Sequence, residues 1–162
     1  MWNRHSNIEV RTSALGRAVF ATAPIAAGES VIELARVFEE APGSHTIQVG
    51  ERRHQAFTGE IDDFVNHSCD PTCRVDVSAL TMSTIADIAV GQELTFNYLT
   101  TEWDMIQPFR CECDGEPRLI RGFRHLSPEE QARLTPLVAP WLLQRVPTCS
   151  GSVQTEFTRL RW

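Results

Sequence analysis

Along the first hundred residues the apolar positions come in short bursts. Ile8 to Val10, Ala18 to Ala21, Ser30 to Leu34 and Thr46 to Val49 are β-prone runs set apart by Gly, Pro and Asn, a spacing that predicts small twisted sheets. Pro24-Ile25-Ala26-Ala27-Gly28-Glu29 supplies the turn between two strands, and Gly50-Glu51 closes a hairpin. Asp62 to Thr72 has no clean period and is crowded with polar side chains, which predicts an ordered loop of the kind that often carries function. Arg74 to Val77, Leu80 to Ile85 and Glu93 to Tyr98 restore strand character. In the last of these, Leu94, Phe96 and Tyr98 alternate with Thr95 and Asn97, so the three share one face. After Gly122 the texture changes. Ser127-Pro128-Glu129-Glu130 is a capping box with Pro at the first helical position and predicts a helix through about Leu134. Pro136 and Pro140 restrict helix formation beyond it, with Trp141, Leu142 and Val146 able to pack back on the sheets. Pro147 to Trp162 reads equally as a tail or as a strand that docks on a partner.

Composition narrows the class. The chain has 162 residues, 42% hydrophobic and 22% charged, with 9 Gly and 9 Pro, which describes one folded domain rather than a disordered or fibrous chain. Folding at this size buries about 70% of the unfolded surface, enough for a core and a closed cleft without disulfides. The longest apolar run, Leu137 to Leu143, is broken by Pro140 and falls far short of the roughly 20 residues that span a bilayer. Met1 to Asn7 is polar and lacks the apolar stretch of a secretory signal. An intracellular location, cytoplasmic or nuclear, is therefore expected, without membrane contact. Five cysteines, with the close pairs Cys69/Cys73 and Cys111/Cys113, suit a reducing compartment and reactive or metal chemistry better than a disulfide framework.

The net charge of −6 is unevenly spread. Between Asp87 and Glu116 stand seven acidic residues (Asp87, Glu93, Glu102, Asp104, Glu112, Asp114 and Glu116) against Arg110 alone, whereas Arg predominates from Arg118 onward. An acidic middle repels phosphates and attracts a basic partner, so a basic protein or peptide is expected and direct nucleic-acid binding is not. Every Lys/Arg position is Arg, which leaves no internal lysine amine to compete in amine-directed chemistry.

Three further segments converge on one chemistry. Ser13-Ala-Leu-Gly-Arg-Ala-Val-Phe-Ala21, Phe64-Val-Asn-His-Ser-Cys-Asp-Pro71 and Gly91-Gln-Glu-Leu-Thr-Phe-Asn-Tyr98 succeed one another, with Cys111-Glu-Cys113 behind them. In this order they resemble the SET-domain family of protein methyltransferases, whose motifs read approximately G-x-G-x-F-A, N-H-S-C-x-P-N and E-L-T-F-D-Y with a trailing C-x-C segment. The resemblance covers Ala14 to Gly122. It implies a mostly β fold of several small twisted sheets with a knot-like core, and a short helical segment at the C-terminal end. By this division residues 1–124 form the SET domain with its trailing post-SET-like segment, 125–146 a helical extension and 147–162 a tail. It also implies S-adenosylmethionine as methyl donor. Gly16, Arg17 and Ala18 would hold the donor's amino-acid end, Asn66 and His67 its amino and adenine groups, and Tyr98, beside the donor, would be the catalytic tyrosine. Phe96 would stand where the family uses Phe or Tyr to set how many methyl groups fit. Without the resemblance, Tyr98 and Phe96 read as core residues of a strand, Asn66-His67 as a turn with an Asx hydrogen bond, and Gly16 as a turn glycine.

The chemistry asks little of such a site. A sulfonium is already a strong methyl donor, so positioning is the main contribution and no metal is required. A lysine amine must lose its proton, a cost of about 4 kcal/mol near neutral pH that desolvation and the adjacent sulfonium charge offset. Aromatic walls suit a cationic or methylated amine, and a phenol oxygen accepts weak C–H hydrogen bonds from the polarised methyl group.

Three positions depart from the family pattern: Ala18 for a second Gly, Thr72 for the closing Asn, and Asn97 for Asp. The cysteines depart further. Many relatives join three trailing cysteines (C-x-C-x4-C) to the Cys of N-H-S-C around a structural zinc. Here Cys69, Cys111 and Cys113 match three positions, but residue 118 is Arg. Four tetrahedral donors are wanted, so zinc is not expected unless Asp114, His125 or a water fills the gap. Phe109, Pro117 and Phe123 would otherwise hold the trailing segment by packing. The substrate expected is a protein lysine, with the acidic stretch from Asp87 to Glu116 drawing in a basic peptide. Glu39, Glu40, Glu60, Asp62 and Asp63, in the variable segment before Phe64, are candidate recognition groups. Two rivals stay open: a SET-fold enzyme acting on a small metabolite or carrier-bound intermediate, and a non-catalytic binding module of the same fold.

Overall fold

The computed structural model describes residues 6–14, 16–113 and 115–146. The expected tail, 147–162, lies outside the described residues, as do Leu15 and Asp114. In chain order the strands are β1 (Ile8–Ser13), β2 (Gly16–Ala21), β3 (Ser30–Glu33), β4 (Phe38–Glu39), β5 (Ile47–Gly50), β6 (Arg53–Gln55), β7 (Asn66–His67), β8 (Cys73–Asp76), β9 (Thr81–Thr84), β10 (Glu93–Phe96), β11 (Phe109–Cys111) and β12 (Arg118–Ile120). Two short helices come after them, α1 (Pro128–Leu134) and α2 (Pro140–Leu143). The strands form four small sheets, ordered β1-β2-β10-β7, β3-β9-β8, β4-β6-β5 and β11-β12. The fold is mostly β, as the short apolar bursts predict.

The turn Pro24 to Glu29 does more than link two strands, because β2 and β3 belong to different sheets. Ile25 exchanges both backbone hydrogen bonds with Ile88, at 3.0 and 2.9 Å, and so pins the crossing between them. Strand β10 shows the predicted period of two: Leu94 and Phe96 turn into the core while Glu93 and Thr95 are half-buried on the other side. Tyr98 leaves the strand. It opens a 3-10 turn, Tyr98–Thr100, capped by the side chain of Asn97, whose oxygen accepts the Leu99 N–H over 3.0 Å. Asn97 is buried, and a neutral amide is cheaper to bury there than the charged Asp of the family pattern.

The segment after the 3-10 turn is held by the backbone of residues 121–124. Phe123 N–H donates to Glu102 O over 2.8 Å, Arg124 N–H to Trp103 O over 3.1 Å, and Met105 N–H to Arg121 O over 2.8 Å. Close approach there needs Gly122: its φ is +119°, and a Cβ would lie 2.5 Å from the Trp103 carbonyl oxygen. The capping box is formed as expected, with Ser127 Oγ accepting the Glu130 N–H and Glu130 accepting the Ser127 N–H. Val138, Ala139 and Leu142 enter the main core beside Val19, Leu94 and Phe123. Among the described residues no helix is long and apolar enough to cross a membrane.

Candidate functional site

The site is built where β7 and β10 run side by side. They pair in parallel, Thr95 with Asn66 and Phe96 with His67, which brings the Asn-His-Ser-Cys segment against the Glu-Leu-Thr-Phe strand. Thr72 ties the end of that loop to the strand: its hydroxyl accepts the Thr95 N–H over 3.0 Å, and its own N–H donates to Thr95 Oγ1 over 3.3 Å. The substitution of Thr for the family's Asn therefore keeps the tie. Asn66 Nδ2 donates to Glu93 Oε1 over 2.9 Å and to the Arg17 carbonyl over 3.4 Å. With both amide hydrogens engaged, the side chain presents its oxygen, an acceptor suited to an ammonium group. Arg17 stacks its guanidinium 3.8 Å above the Phe64 ring, an arrangement that favours the cation. Gly16, Arg17 and Asn66 are thus brought to one place. Ala18 is 0% exposed, so its methyl group stands on no accessible surface there.

Tyr98 sits beside them. Its hydroxyl donates to the Val65 carbonyl over 3.0 Å, which leaves lone pairs rather than a proton for anything approaching from the other side. Burial, with Glu102 and Glu93 adding to it, pushes the phenol up to about 12, so the ring is neutral. Phe96 lies 4.7 Å from Tyr98 between ring centroids and is 3% exposed. His67 and Phe109 pack edge-on against Tyr98 at 5.2 and 6.0 Å. A cavity of about 70 Å³ opens against this group, lined by Val65, Phe96, Tyr98, Asp62, Asp63 and Glu102, with residues 42–47 and 105–107 as its outer wall. A single water needs about 10–15 Å³ by the same measure, so the space suits a slender chain better than a ring.

His67 turns its ring inward. Nδ1 accepts the Tyr98 N–H over 3.2 Å, and Nε2 is 3.4 Å from Cys69 Sγ. Burial and the nearby charge of Arg118 lower the imidazole to about 4, so it is neutral. The side chain positions Tyr98, which leaves the backbone of His67 as the part able to meet a donor.

Cys69, Cys111 and Cys113 converge behind this ring, and their sulfurs and a ring nitrogen of His67 all lie within 4.8 Å of one another. The fourth group at the cluster is His67 rather than His125, which is paired with Asp104 at 2.8 Å. We tested whether this set fits the zinc ion that the family pattern implies. A ligating nitrogen must offer a lone pair, but with Nδ1 accepting from Tyr98 the neutral ring carries its proton on Nε2 and meets Cys69 as a donor. Two sulfurs on one tetrahedral zinc, with bonds of about 2.3 Å, stand about 3.8 Å apart, whereas Cys111 and Cys113 are 3.0 Å apart and hydrogen-bonded. Three sulfurs and one imidazole nitrogen are the number and kinds of donor a structural zinc takes; to receive it the Cys111–Cys113 contact and the Tyr98 N–H bond to Nδ1 would have to open. In this structure Cys113 accepts from the Cys111 thiol and from the Cys69 N–H over 3.1 Å. Burial opposes ionisation of Cys113, but these hydrogen bonds outweigh it and lower the thiol, while burial and Cys113 push Cys69 up to about 12.

The acidic stretch does not make one face. Asp87 accepts the Ala27 N–H, Glu93 holds Asn66, Asp104 pairs with Arg124 and His125, and Glu102 is 8% exposed. Sequence counts charges but does not say which are used internally. Asp62 is likewise buried and accepts from Ala35 N–H and Gln55. Pro117 is exposed, and Ile120 packs in its stead with Leu99, Cys111 and Phe109. Glu93, Val65, Glu102 and Phe109 are site residues that the motifs alone did not single out. Phe109 had a signal, an aromatic two residues ahead of Cys111; Val65 acts through its carbonyl, which no side chain announces.

Comparison with known proteins gives a consistent family. The family model for the SET domain matches residues 16–99. Methyltransferase flvH of Aspergillus flavus is 46% identical over 55 residues, which cover 33% of this chain and 31% of that protein. The structure of KRYPTONITE in complex with mCHG DNA and SAH is similar with a TM-score of 0.58 and 26% identity, over 70% of this chain and 28% of that one. A second KRYPTONITE structure, with mCHH DNA, H3(1–15) peptide and SAH, shares the fold at a TM-score of 0.55 and 24% identity, over 67% of this chain and 28% of that one. The chain thus spans about a third of the curated relative's length and little more than a quarter of the solved chains. Motifs, sheet pairing and family match agree, and the chain belongs to the SET-domain family.

Proposed function

We propose that this protein is an S-adenosylmethionine-dependent methyltransferase whose acceptor is a lysine amine of a protein. The observation that carries the reading is Tyr98: a neutral phenol, locked as a donor to Val65 O, at the junction between the Gly16–Arg17–Asn66 corner and the acid-lined cavity. Bound at that corner, the donor supplies an electrophilic methyl group on sulfur. Asn66 offers its carbonyl oxygen to the donor's ammonium group, and the backbone from Gly16 to Ala18 faces the donor's amino-acid end. The backbone of His67 and the Phe109 ring flank the remainder. Tyr98 accepts an N–H from the incoming amine, which turns the nitrogen lone pair along the line of transfer. Phe96 fills the space beside it and sets how many methyl groups the nitrogen carries.

The cavity supports a cationic acceptor. Its slender volume accommodates an aliphatic side chain, Glu102 and Asp62 line it, and Asp63 Oδ1 is buried without a hydrogen-bond partner. SAH in both KRYPTONITE structures and the H3 peptide in one support the donor and the peptide for this chain as well. In this reading residues 1–124 are the catalytic unit and 125–146 an extension that completes its core.

The test is labelled methyl transfer from S-adenosylmethionine to a protein extract and, in parallel, to its small-molecule fraction. Label on protein lysines, lost in Tyr98→Phe, is expected. Label confined to small molecules would replace the acceptor, and no label in either would remove the activity.

A further inference from the structure

A lysine amine enters as an ammonium and must shed a proton before it can attack. Tyr98 cannot take that proton, because its neutral hydroxyl already carries one toward Val65 O. Glu102 lies one turn further along: its N–H donates to the Tyr98 carbonyl over 2.9 Å, and both residues line the cavity of about 70 Å³. Its carboxyl is held at one oxygen, where the Gln48 N–H, over 2.8 Å, and the Thr101 hydroxyl, over 3.2 Å, both bond to Oε1. Oε2 takes no hydrogen bond from the described residues and is not sealed off by packing, so it is the oxygen open to the cavity. We infer that Glu102 is a catalytic residue of the proposed transfer, the base that receives a proton from the acceptor's ammonium group. The inference rests on reading this cavity as the acceptor's channel.

The step balances within the cavity. One N–H bond of the ammonium breaks, its electron pair stays on nitrogen as the lone pair, and the proton goes to Oε2. Tyr98 accepts a remaining N–H and turns that lone pair toward the methyl group; the N–C bond forms as the C–S bond breaks, leaving a methylammonium and a neutral thioether. Glu102 then gives its proton to solvent. The surroundings suit this exchange. Burial raises the carboxyl to about 7, against the two hydrogen bonds that lower it, so near neutral pH the group can both take up and release a proton. The other titratable groups on the cavity are Asp62, Asp63, His45 and Tyr98, and among the described residues no arginine lines it to compete for the carboxylate. Gln48 and Thr101, which hold the group, carry no charge. On the segment that bonds to the Glu102 backbone carbonyl, Arg124 is paired with Asp104.

The experiment follows labelled methyl transfer from S-adenosylmethionine to the protein extract, catalysed by the full chain, from about pH 6 to about pH 10. The wild-type rate should rise through about pH 7 and then level off. Glu102→Gln, which keeps the acceptor for the Gln48 N–H, should be at least about 10²-fold slower near neutral pH and climb about tenfold per pH unit toward the amine's own range, closing the gap. Glu102→Asp, which keeps a carboxyl, should retain a levelling profile at a lower rate. A second reading needs no methyl donor: carbon-13 NMR should show the Glu102 carboxyl titrating near pH 7, and at lower pH in excess n-butylammonium, which stands in for the end of a lysine side chain. A Gln variant whose rate runs parallel to the wild type's across pH overturns the inference, as does a carboxyl whose titration the amine does not move; either result leaves the methyltransferase standing. A wild type that labels nothing at any pH removes the acceptor reading and the inference with it. Should the Gln variant not fold, the wild-type profile decides, and a rate that keeps climbing about tenfold per unit beyond neutral pH refutes Glu102 as the base.

Discussion

A single hydrogen bond fixes the orientation of the Tyr98 hydroxyl. Because the hydroxyl is spent as a donor on Val65 O, the group facing the cavity is an acceptor, and Tyr98→Phe removes it while leaving the ring packing against Phe96 and His67. Single-turnover methyl transfer should fall by about 10²-fold or more, with donor affinity unchanged in calorimetry. Undiminished transfer would take Tyr98 out of the mechanism. Glu102 gives a second test at this scale. Burial raises its carboxyl to about 7 against the hydrogen bonds from Gln48 N–H and Thr101 that lower it. An acid raised in the folded state contributes stability that is complete below its ordinary value of 4.5 and is lost as pH rises through about 7. Glu102→Gln keeps the acceptor for Gln48 without the charge. From about pH 5 to pH 8 the wild type should lose at most about 3 kcal/mol relative to the variant in urea unfolding; parallel pH curves would contradict this. Residues such as Tyr98, Phe96 and Asn66 are legible in the sequence because they belong to a motif. Glu93 and Glu102 are not, because a carboxylate reads as surface charge until the chain places it against an amide.

At the scale of elements, the legible features are those that local rules dictate. The capping box at Ser127 needs only neighbouring residues, and it forms as predicted. Ser127→Ala should cost about 1 kcal/mol and lower the melting temperature by about 2–4 °C, read by thermal denaturation; no shift would show that α1 is held by packing alone. The strands β4, β6, β11 and β12, by contrast, are two or three residues long, too short for an alternation to declare itself, and exist through their partners. The parallel pairing of β7 with β10 is equally non-local. Gly122 marks another such junction. With φ at +119° and the Trp103 carbonyl 2.5 Å from any Cβ, Gly122→Ala should destabilise by about 2 kcal/mol or more in chemical denaturation. A variant as stable as the wild type would mean that residues 102–105 and 121–124 are not so closely joined.

For the whole molecule, the sum of charges was a poor guide to a surface. In the acidic stretch Asp87, Glu93, Glu102 and Asp104 are engaged by hydrogen bonds or ion pairs, and the cavity wall carries three carboxyl groups, Asp62, Asp63 and Glu102. Three of the four small sheets share one apolar cluster with the C-terminal helices, the β11-β12 hairpin buries its own with Leu99, and the site sits where their loops meet. Every functional reading rests on that meeting place holding a sulfonium nucleoside. Calorimetric titration with S-adenosylmethionine and its demethylated product therefore tests it most directly. One site per chain is predicted, weakened at least about tenfold in Asn66→Ala, as expected for losing a hydrogen bond to a charged group, and preserved in Tyr98→Phe. A correctly folded wild type that binds neither compound, or binds them equally well without the Asn66 amide, would contradict the account.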